Sequence, residues 1–450
     1  ITILLFHIIM LFNKKKTYEQ HDNEKESYYR HSIKPYSSKD FLEDYLEVDI
    51  CIVGGGLTGV SSALNLVNKG YSVALCESRL IGWGASGRNG GQLGNGMRKD
   101  QFFLEKKLGF ETAREFWNFG LEAVQYSIDL INKYKIDCNL QNGVISAGCF
   151  KKDIKYFEEE KNHLEKFYNY INLKLLNKIQ IKDEIQSNIY ESGLINYGSY
   201  HINPLKFLLG IANQINSTKI KVFENTPITK IIEHEDSMYC YSNLKKIKSK
   251  RVVVACNGYL DNLLSNIRQR FMPINNYVIA TEPLGEKKAR ELIKNNHAVC
   301  DTRFIIDYYR FSEDWRLIFG GGETYSAMFV KNSKNFVKNR MDKVFPTLKD
   351  CKIDFAWGGT LAITINRLPH FGTLMNNKLI YAQGYSGHGL ALSTFAGKLI
   401  SEKIDGKSER FDLFSNIKHL IIPGGDFFRR PIYSSAIFYY KLRDSIKYKF

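Results

Sequence analysis

The chain has 450 residues, beyond the length at which one hydrophobic core keeps growing, so two domains are expected. Its apolar share of 44% and charged share of 24% are those of an ordinary soluble globular protein. A net charge of +16 raises the question of a nucleic-acid or anionic-membrane surface. The Lys residues are spread along the chain and form no block with interleaved stacking aromatics, which favours scattered, solvated lysines and no nucleic-acid or membrane partner. The cysteines (51, 76, 138, 149, 240, 256, 300 and 351) make no C-x-x-C pair, and most sit in apolar runs. They read as core thiols of a cytoplasmic protein, with neither a disulfide framework nor a metal site.

Residues 1–12 are almost all apolar and run into Lys14-Lys15-Lys16. The run is too short to span a bilayer and has its charge on the wrong side for a signal peptide. Residues 1–27 are therefore expected to be a poorly ordered extension. The first clear element is Val48 to Val53, a short apolar run that reads as a buried parallel strand. A helix from about Leu57 to Lys69 follows, stopped by Gly70, and then a second strand from Ser72 to Cys76. The unit spans about 30 residues, the size of a βαβ motif.

Between strand and helix stands Gly54-Gly55-Gly56-Leu57-Thr58-Gly59, which satisfies G-x-G-x-x-G in the context its mechanism requires. Gly54 permits the tight turn, Gly56 lets the backbone approach a pyrophosphate, and Gly59 lets helix and strand pack closely. The N–H groups of Leu57 and Thr58 at the helix start then face the phosphates. Glu77, at the tip of the second strand, is placed for ribose hydroxyls, with Ser78 and Arg79 beside it; a carboxylate there repels a 2′-phosphate. The fingerprint alone does not separate NAD from FAD.

Further along, residues 105 to 190 carry helical patterns such as Asp153 to Tyr170. A second set of strands is expected at 219–223, 228–233, 237–242 and 251–256, then candidates at 303–310 and 316–320, and a buried strand at 378–382. Dinucleotide-type signals in at least three separated blocks imply two interwoven domains. The expected division gives 48–124, 201–270 and 351–415 to the dinucleotide-binding domain and 125–200 and 271–350 to a substrate domain, with 416–450 a C-terminal tail.

Residues 82–92, Gly-Trp-Gly-Ala-Ser-Gly-Arg-Asn-Gly-Gly-Gln, are too rich in glycine for helix or strand. Here the chain resembles the D-amino-acid oxidase-like family of FAD enzymes, which includes glycine and sarcosine oxidases. The resemblance runs from about residue 28 to 445. It is carried also by 227–230, 253–258, 280–284, Tyr308-Tyr309-Arg310, Trp357-Gly358-Gly359, 366–372 and Gly384-Tyr385-Ser386-Gly387-His388-Gly389. Several of these fit the branch that acts on γ-glutamylputrescine.

The resemblance implies an α/β protein, with a Rossmann-like FAD-binding domain interleaved with an α+β substrate domain. It implies cofactor contacts from Gly84, Ala85, Ser86, Arg88, Asn89, Gly90, Gly91 and Gln92 in the first loop. Others come from Ile228, from Cys256, Asn257 and Gly258, from Gly358, and from Gly384, Ser386, Gly387, His388, Gly389 and Leu390. The last segment opens a helix whose N-terminus suits the negative charge of a reduced flavin. No Cys stands at 358–360, where monomeric sarcosine oxidases carry their covalent link, so non-covalent FAD is expected. The implied reaction oxidises an amine to an imine that hydrolyses to aldehyde and ammonia, with dioxygen reduced to hydrogen peroxide. His388, Tyr309 and Arg310 are the catalytic candidates: His388 to bond or pack against the flavin, the tyrosines to wall an alkyl amine, Arg310 to meet a carboxylate. Arg316, Trp83 and His370 are further candidates.

A sarcosine- or glycine-type oxidase, or a dehydrogenase with another electron acceptor, fits the same motifs. An RNA-associated flavoprotein is suggested only by the charge. An inactive descendant is disfavoured because the glycine motifs are intact. The sequence leaves the oligomeric state open.

Overall fold

The computed structural model describes residues 27–34, 36, 40–215, 218–324 and 329–422. The extension expected before residue 27 and most of the C-terminal tail, including the aromatic and basic Phe427 to Pro431, lie outside the described residues.

Two sheets organise the molecule. The first contains five parallel strands: β1 (Tyr45–Val53), β2 (Val73–Cys76), β3 (Ile220–Phe223), β4 (Lys245–Val254) and β5 (Leu379–Gln383), in the order β5-β4-β1-β2-β3. Chain order reverses between β1 and β4, and such a switch point opens a crevice at the carboxyl ends of the strands. The register brings those ends level: Val53 pairs with Cys76 and Val254, and Val254 with Tyr381. Helix α1 (Leu57–Asn68) crosses from β1 to β2 and packs on α2 (Leu390–Ile404), which follows β5. The two helices approach closely because Gly397 lies against Ser61 and Ser62.

The second sheet has nine strands and runs Ile353–Thr364, Phe271–Thr281, Leu317–Thr324, Asp307–Phe311, Ala298–Asp301, Gln141–Gly148, Ser192–His201, Gln92–Leu93, with Leu173–Leu176 beside Ser192–His201. Its two faces belong to different cores. Val278, Ala280, Ile318 and Trp357 join the core shared with α1 and α2. Tyr277, Ile279, Tyr309 and Phe319 join a separate core under the helix Ser333–Val344. The first sheet's far face has a third core around Cys51, Cys76 and Cys240.

The βαβ unit, the strand Ser237–Ser242, the helix from Asp153 and the strand before residue 384 stand where the sequence placed them. Among the strands that were not expected are the two longest of the second sheet. Phe271–Thr281 falls in a stretch read as irregular, and Ile353–Thr364, assigned from the sequence to the dinucleotide-binding part, pairs along its whole length with it in the second sheet. Pro273, Asn275, Asn276, Gly358 and Gly359 break the apolar alternation of both strands.

Candidate active site

The carboxyl edge of the first sheet has a geometry that suits a pyrophosphate. Gly54 has φ +111, and a side chain there meets the Ala255 carbonyl at 2.8 Å. A side chain on Gly59 runs into the Gly54 carbonyl, so helix and strand meet only with glycine at this position. Gly56 begins α1 without a capping side chain, leaving helix N–H donors for an anion, and Leu57 N–H donates to Ser86 Oγ at 3.0 Å. Glu77 accepts from Gly55 N–H at 2.7 Å and Arg79 N–H at 2.9 Å, and Ser78 Oγ donates to it at 3.1 Å. Burial raises its pKa, partly offset by those donors. A carboxylate has about four lone-pair sites, so one remains for a ribose hydroxyl.

The glycine loop that follows is held from both sides. Arg88 is buried, donating from Nε to the Trp83 carbonyl at 2.6 Å and from Nη1 to Gly358 O at 3.3 Å. Trp357 Nε1 donates back to Arg88 O at 2.9 Å. Asn89 closes a local turn, with Nδ2 donating to Ala85 O (3.1 Å) and Ser86 O (2.9 Å) while Oδ1 accepts from Gly91 N–H (2.9 Å). Ile202 N–H donates to Gly91 O at 2.8 Å. Gln92 Nε2 is buried with no partner among the described residues, a donor awaiting an acceptor.

The third wall comes from the segments after β4 and β5. Cys256 Sγ donates to Val53 O at 3.5 Å, and burial pushes its thiol up to about 12. Asn257 Oδ1 accepts from Gly384 N–H at 3.0 Å, tying the two segments together. A side chain on Gly258 meets Thr360 O at 2.8 Å. Ile228 packs beside this wall, at the margin of the third core. Gly384, Ser386 and Gly387 take φ of +75, +54 and +84, turning the chain into α2, whose first residue Leu390 is buried and whose N-cap Gly389 has no side chain. The Ser386 hydroxyl donates to Gly384 O at 3.1 Å. The residues present therefore fit FAD: open helix N-termini, a carboxylate at the second strand, a glycine-lined loop and an unspent buried donor.

His388 stands at the start of α2, and its Nε2 is 3.0 Å from the Asn95 carbonyl, so Nε2 carries the hydrogen. Burial, then the nearby Arg98, depress its pKa to about 4, keeping the imidazole neutral. It clamps the helix start to the loop at 94–96.

The other catalytic candidates need correction. Tyr309 points into the far core, where its ring stacks on Phe319 (5.2 Å) and its hydroxyl donates to Tyr190 at 2.9 Å. Strand alternation explains this: Tyr308 and Arg310 face the glycine loop, so Tyr309 faces away. Arg310 is 1% exposed, donating to Gly90 O (2.7 Å), Phe311 O (3.0 Å) and Tyr29 Oη (3.1 Å). It fastens the loop and does not face a substrate. Arg316 is tied to Asp314 and Asp354 (2.7 and 2.6 Å), and His370 lies buried against Tyr381 and His419. The Arg79 and Arg88 guanidiniums both lie over the Trp83 ring, at 5.5 and 5.1 Å.

Tyr308 does face the site. Its ring fills the space left by Gly90 and Gly320, and its hydroxyl donates to Asn276 Oδ1. Burial raises its pKa well above the ordinary tyrosine value. Asn276 and its cross-strand partner Glu323 escaped sequence reasoning, because pairing between distant strands leaves no local signal. Arg98, Arg367 and Tyr29 escaped it too.

The model for the DAO family, described as FAD dependent oxidoreductase, matches residues 49–403. The chain belongs to this family. Gamma-glutamylputrescine oxidoreductase of Escherichia coli (strain K12) is 38% identical over 421 residues, covering 93% of this chain and 98% of that protein. Probable oxidoreductase OrdL of Haemophilus influenzae is 33% identical over 403 residues, with 89% and 92% covered. Among solved structures, glycine oxidase from Geobacillus kaustophilus superposes with a TM-score of 0.69 at 18% identity, over 83% of this chain and 100% of that one. As a DAO family member the protein is an FAD-dependent oxidoreductase with a Rossmann-like domain and a substrate domain, as the glycine motifs and the 82–92 loop led one to expect. Among the described residues no helix is long and apolar enough to cross a membrane.

Proposed function

We propose that this protein oxidises the terminal primary amine of γ-glutamylputrescine or a close relative. The balance is amine, dioxygen and water in, and aldehyde, ammonium and hydrogen peroxide out. The observation that carries this reading is the 38% identity to a γ-glutamylputrescine oxidoreductase across nearly the whole of both chains.

Bound FAD supplies the acceptor for a hydride from the carbon beside the nitrogen. The chain's own part is to bind, orient and exclude water. The α1 N-terminus and Glu77 take the pyrophosphate and ribose, and the 84–92 loop lies along the cofactor, held non-covalently. Neutral His388 fixes the start of α2, whose uncapped N–H groups favour negative charge beside them. Tyr308, locked by Asn276, gives an aromatic wall against an alkyl amine. All eight cysteines are unpaired, which supports a cytoplasmic setting.

Peroxide formation under air with γ-glutamylputrescine, putrescine, sarcosine and glycine tests the assignment. Turnover dominated by γ-glutamylputrescine supports it; preference for sarcosine or glycine replaces it with an amino-acid oxidase. Reduction of an artificial acceptor without peroxide makes the enzyme a dehydrogenase.

A further inference from the structure

Gln92 ends the glycine loop with a hydrogen-bond donor that the chain itself does not use. The longer polar side chains before it are engaged inside the protein. Ser86 Oγ accepts from Leu57 N–H, Arg88 donates to the carbonyls of Trp83 and Gly358, and Asn89 binds the backbone at both ends of its amide. Gln92 is half-buried, yet its Nε2 is fully buried and has no partner among the described residues. His201, opposite it on the neighbouring strand, is turned to the Asn296 carbonyl at 2.7 Å. A buried N–H without an acceptor is unfavourable, and in a binding site that is relieved when a ligand brings the acceptor.

The neighbours of Gln92 place it in the site. A Cβ on Gly90 would meet both Gln92 Oε1 and the Tyr308 ring at 2.5 Å, so the carboxamide lies alongside that ring. Two residues beyond Gln92, a Cβ on Gly94 would meet the His388 ring at 2.9 Å. Gln92 thus stands between the Tyr308 wall and the start of α2. Neither nearby polar group answers its donor. The Tyr308 hydroxyl is locked to Asn276, and Asn276 Nδ2 donates to Gly322 O at 3.2 Å.

A neutral amide N–H suits a neutral oxygen and carries no charge with which to hold a carboxylate. Next to its alkyl chain, γ-glutamylputrescine has one such oxygen that putrescine lacks, the carbonyl of its amide bond.

We propose that Gln92 is a specificity residue that donates from Nε2 to the amide carbonyl of a γ-glutamyl amine whose alkyl chain lies against Tyr308. The bond is open to the glutamylated amine and closed to the free diamine, so Gln92 favours the former. The ring carbonyls of bound flavin offer the same acceptor chemistry, and the experiment separates the two sources. This inference rests on the function proposed above.

The test compares wild-type holoenzyme with Gln92→Leu, which removes the donor at similar volume, and Gln92→Glu, which puts an acceptor in its place. The probe is γ-glutamylbutylamide, which keeps the amide and lacks the reacting amine, and its Kd is read from perturbation of the flavin band. FAD content of each variant confirms folding. In both variants the Kd is expected to rise about tenfold, and the ratio of kcat/KM for γ-glutamylputrescine over putrescine to fall about tenfold. The midpoint potential of the bound flavin without ligand should stay unchanged in Gln92→Leu. Amide affinity and substrate ratio both within threefold of wild type overturn the proposal while leaving the function standing. A changed flavin potential with an unchanged substrate ratio assigns the donor to the flavin and overturns it equally. A wild-type enzyme that neither oxidises γ-glutamylputrescine nor binds the amide overturns the function itself, and the specificity role with it.

Discussion

Replacing Tyr29 with Phe removes one oxygen from the far side of the flavin loop. That hydroxyl accepts from Arg310 Nη2 at 3.1 Å, and Arg310 Nε donates to the Gly90 carbonyl at 2.7 Å. Tyr29 is fully buried, and its ring lies 5.4 Å from Trp357, whose Nε1 holds Arg88 O. Phe keeps the ring contacts and loses only the acceptor. A hydrogen bond to a charged group contributes about 1.5–3 kcal/mol, and an orphaned buried donor costs a similar amount. Arg310 retains two other acceptors, so the lower end applies, about 1.5 kcal/mol. If the clasp tightens the loop around FAD, this appears as roughly a tenfold higher Kd for FAD. The assay is recovery of flavin fluorescence on dilution of holoenzyme. Tyr28→Phe is the control: its hydroxyl donates to Asp314 at 2.6 Å, a comparable loss that does not touch the loop. Equal FAD affinity in Tyr29→Phe and wild type, or equal weakening in both variants, refutes the clasp.

Three other outcomes are expected. Gly59→Val drives a branched side chain into the Gly54 carbonyl and should abolish FAD retention, read as the flavin-to-protein absorbance ratio after desalting. Tyr309→Phe should cost about 1 kcal/mol in a denaturant melt through the lost bond to Tyr190 while kcat stays within twofold; a tenfold loss of kcat would return Tyr309 to the reaction. Folded-state pKa values of about 3 for His201 and His370 and about 4 for His388 and His419 lie below the unfolded value near 6.5. Their neutral forms therefore stabilise the fold fully above that value, and the contribution is lost as pH falls towards 4. Asp301 and Glu160, raised to about 7, act in the opposite sense and roughly cancel the histidines at pH 7. A net of about two protons remains near pH 5, where the slope is roughly 2–3 kcal/mol per pH unit. Urea melts at pH 7, 6 and 5 check the slope, and stability that rises on acidification contradicts it.

Sequence alone revealed the elements whose chemistry is local. The strand before Gly54, the three glycines, Glu77 and the loop at 384–389 each carry their signal within a few residues. The site's second wall is different. Tyr308-Tyr309-Arg310 pointed to a strand that runs beside the glycine loop, but two neighbours in a strand cannot both face one cavity, and only the sheet shows which turns away. Phe271–Thr281 was unreadable because Asn275 and Asn276 interrupt its apolar pattern, and Asn276 is polar because it meets Tyr308. Tyr29 and Arg310 are 281 positions apart, a contact no local pattern encodes.

The central claim is best tested by the visible spectrum of purified holoenzyme under anaerobic conditions, before and after adding γ-glutamylputrescine. The account predicts bleaching of the blue flavin band, with recovery and peroxide on admitting air. A flavin band that stays unchanged with γ-glutamylputrescine, yet bleaches with sarcosine or glycine, would contradict it.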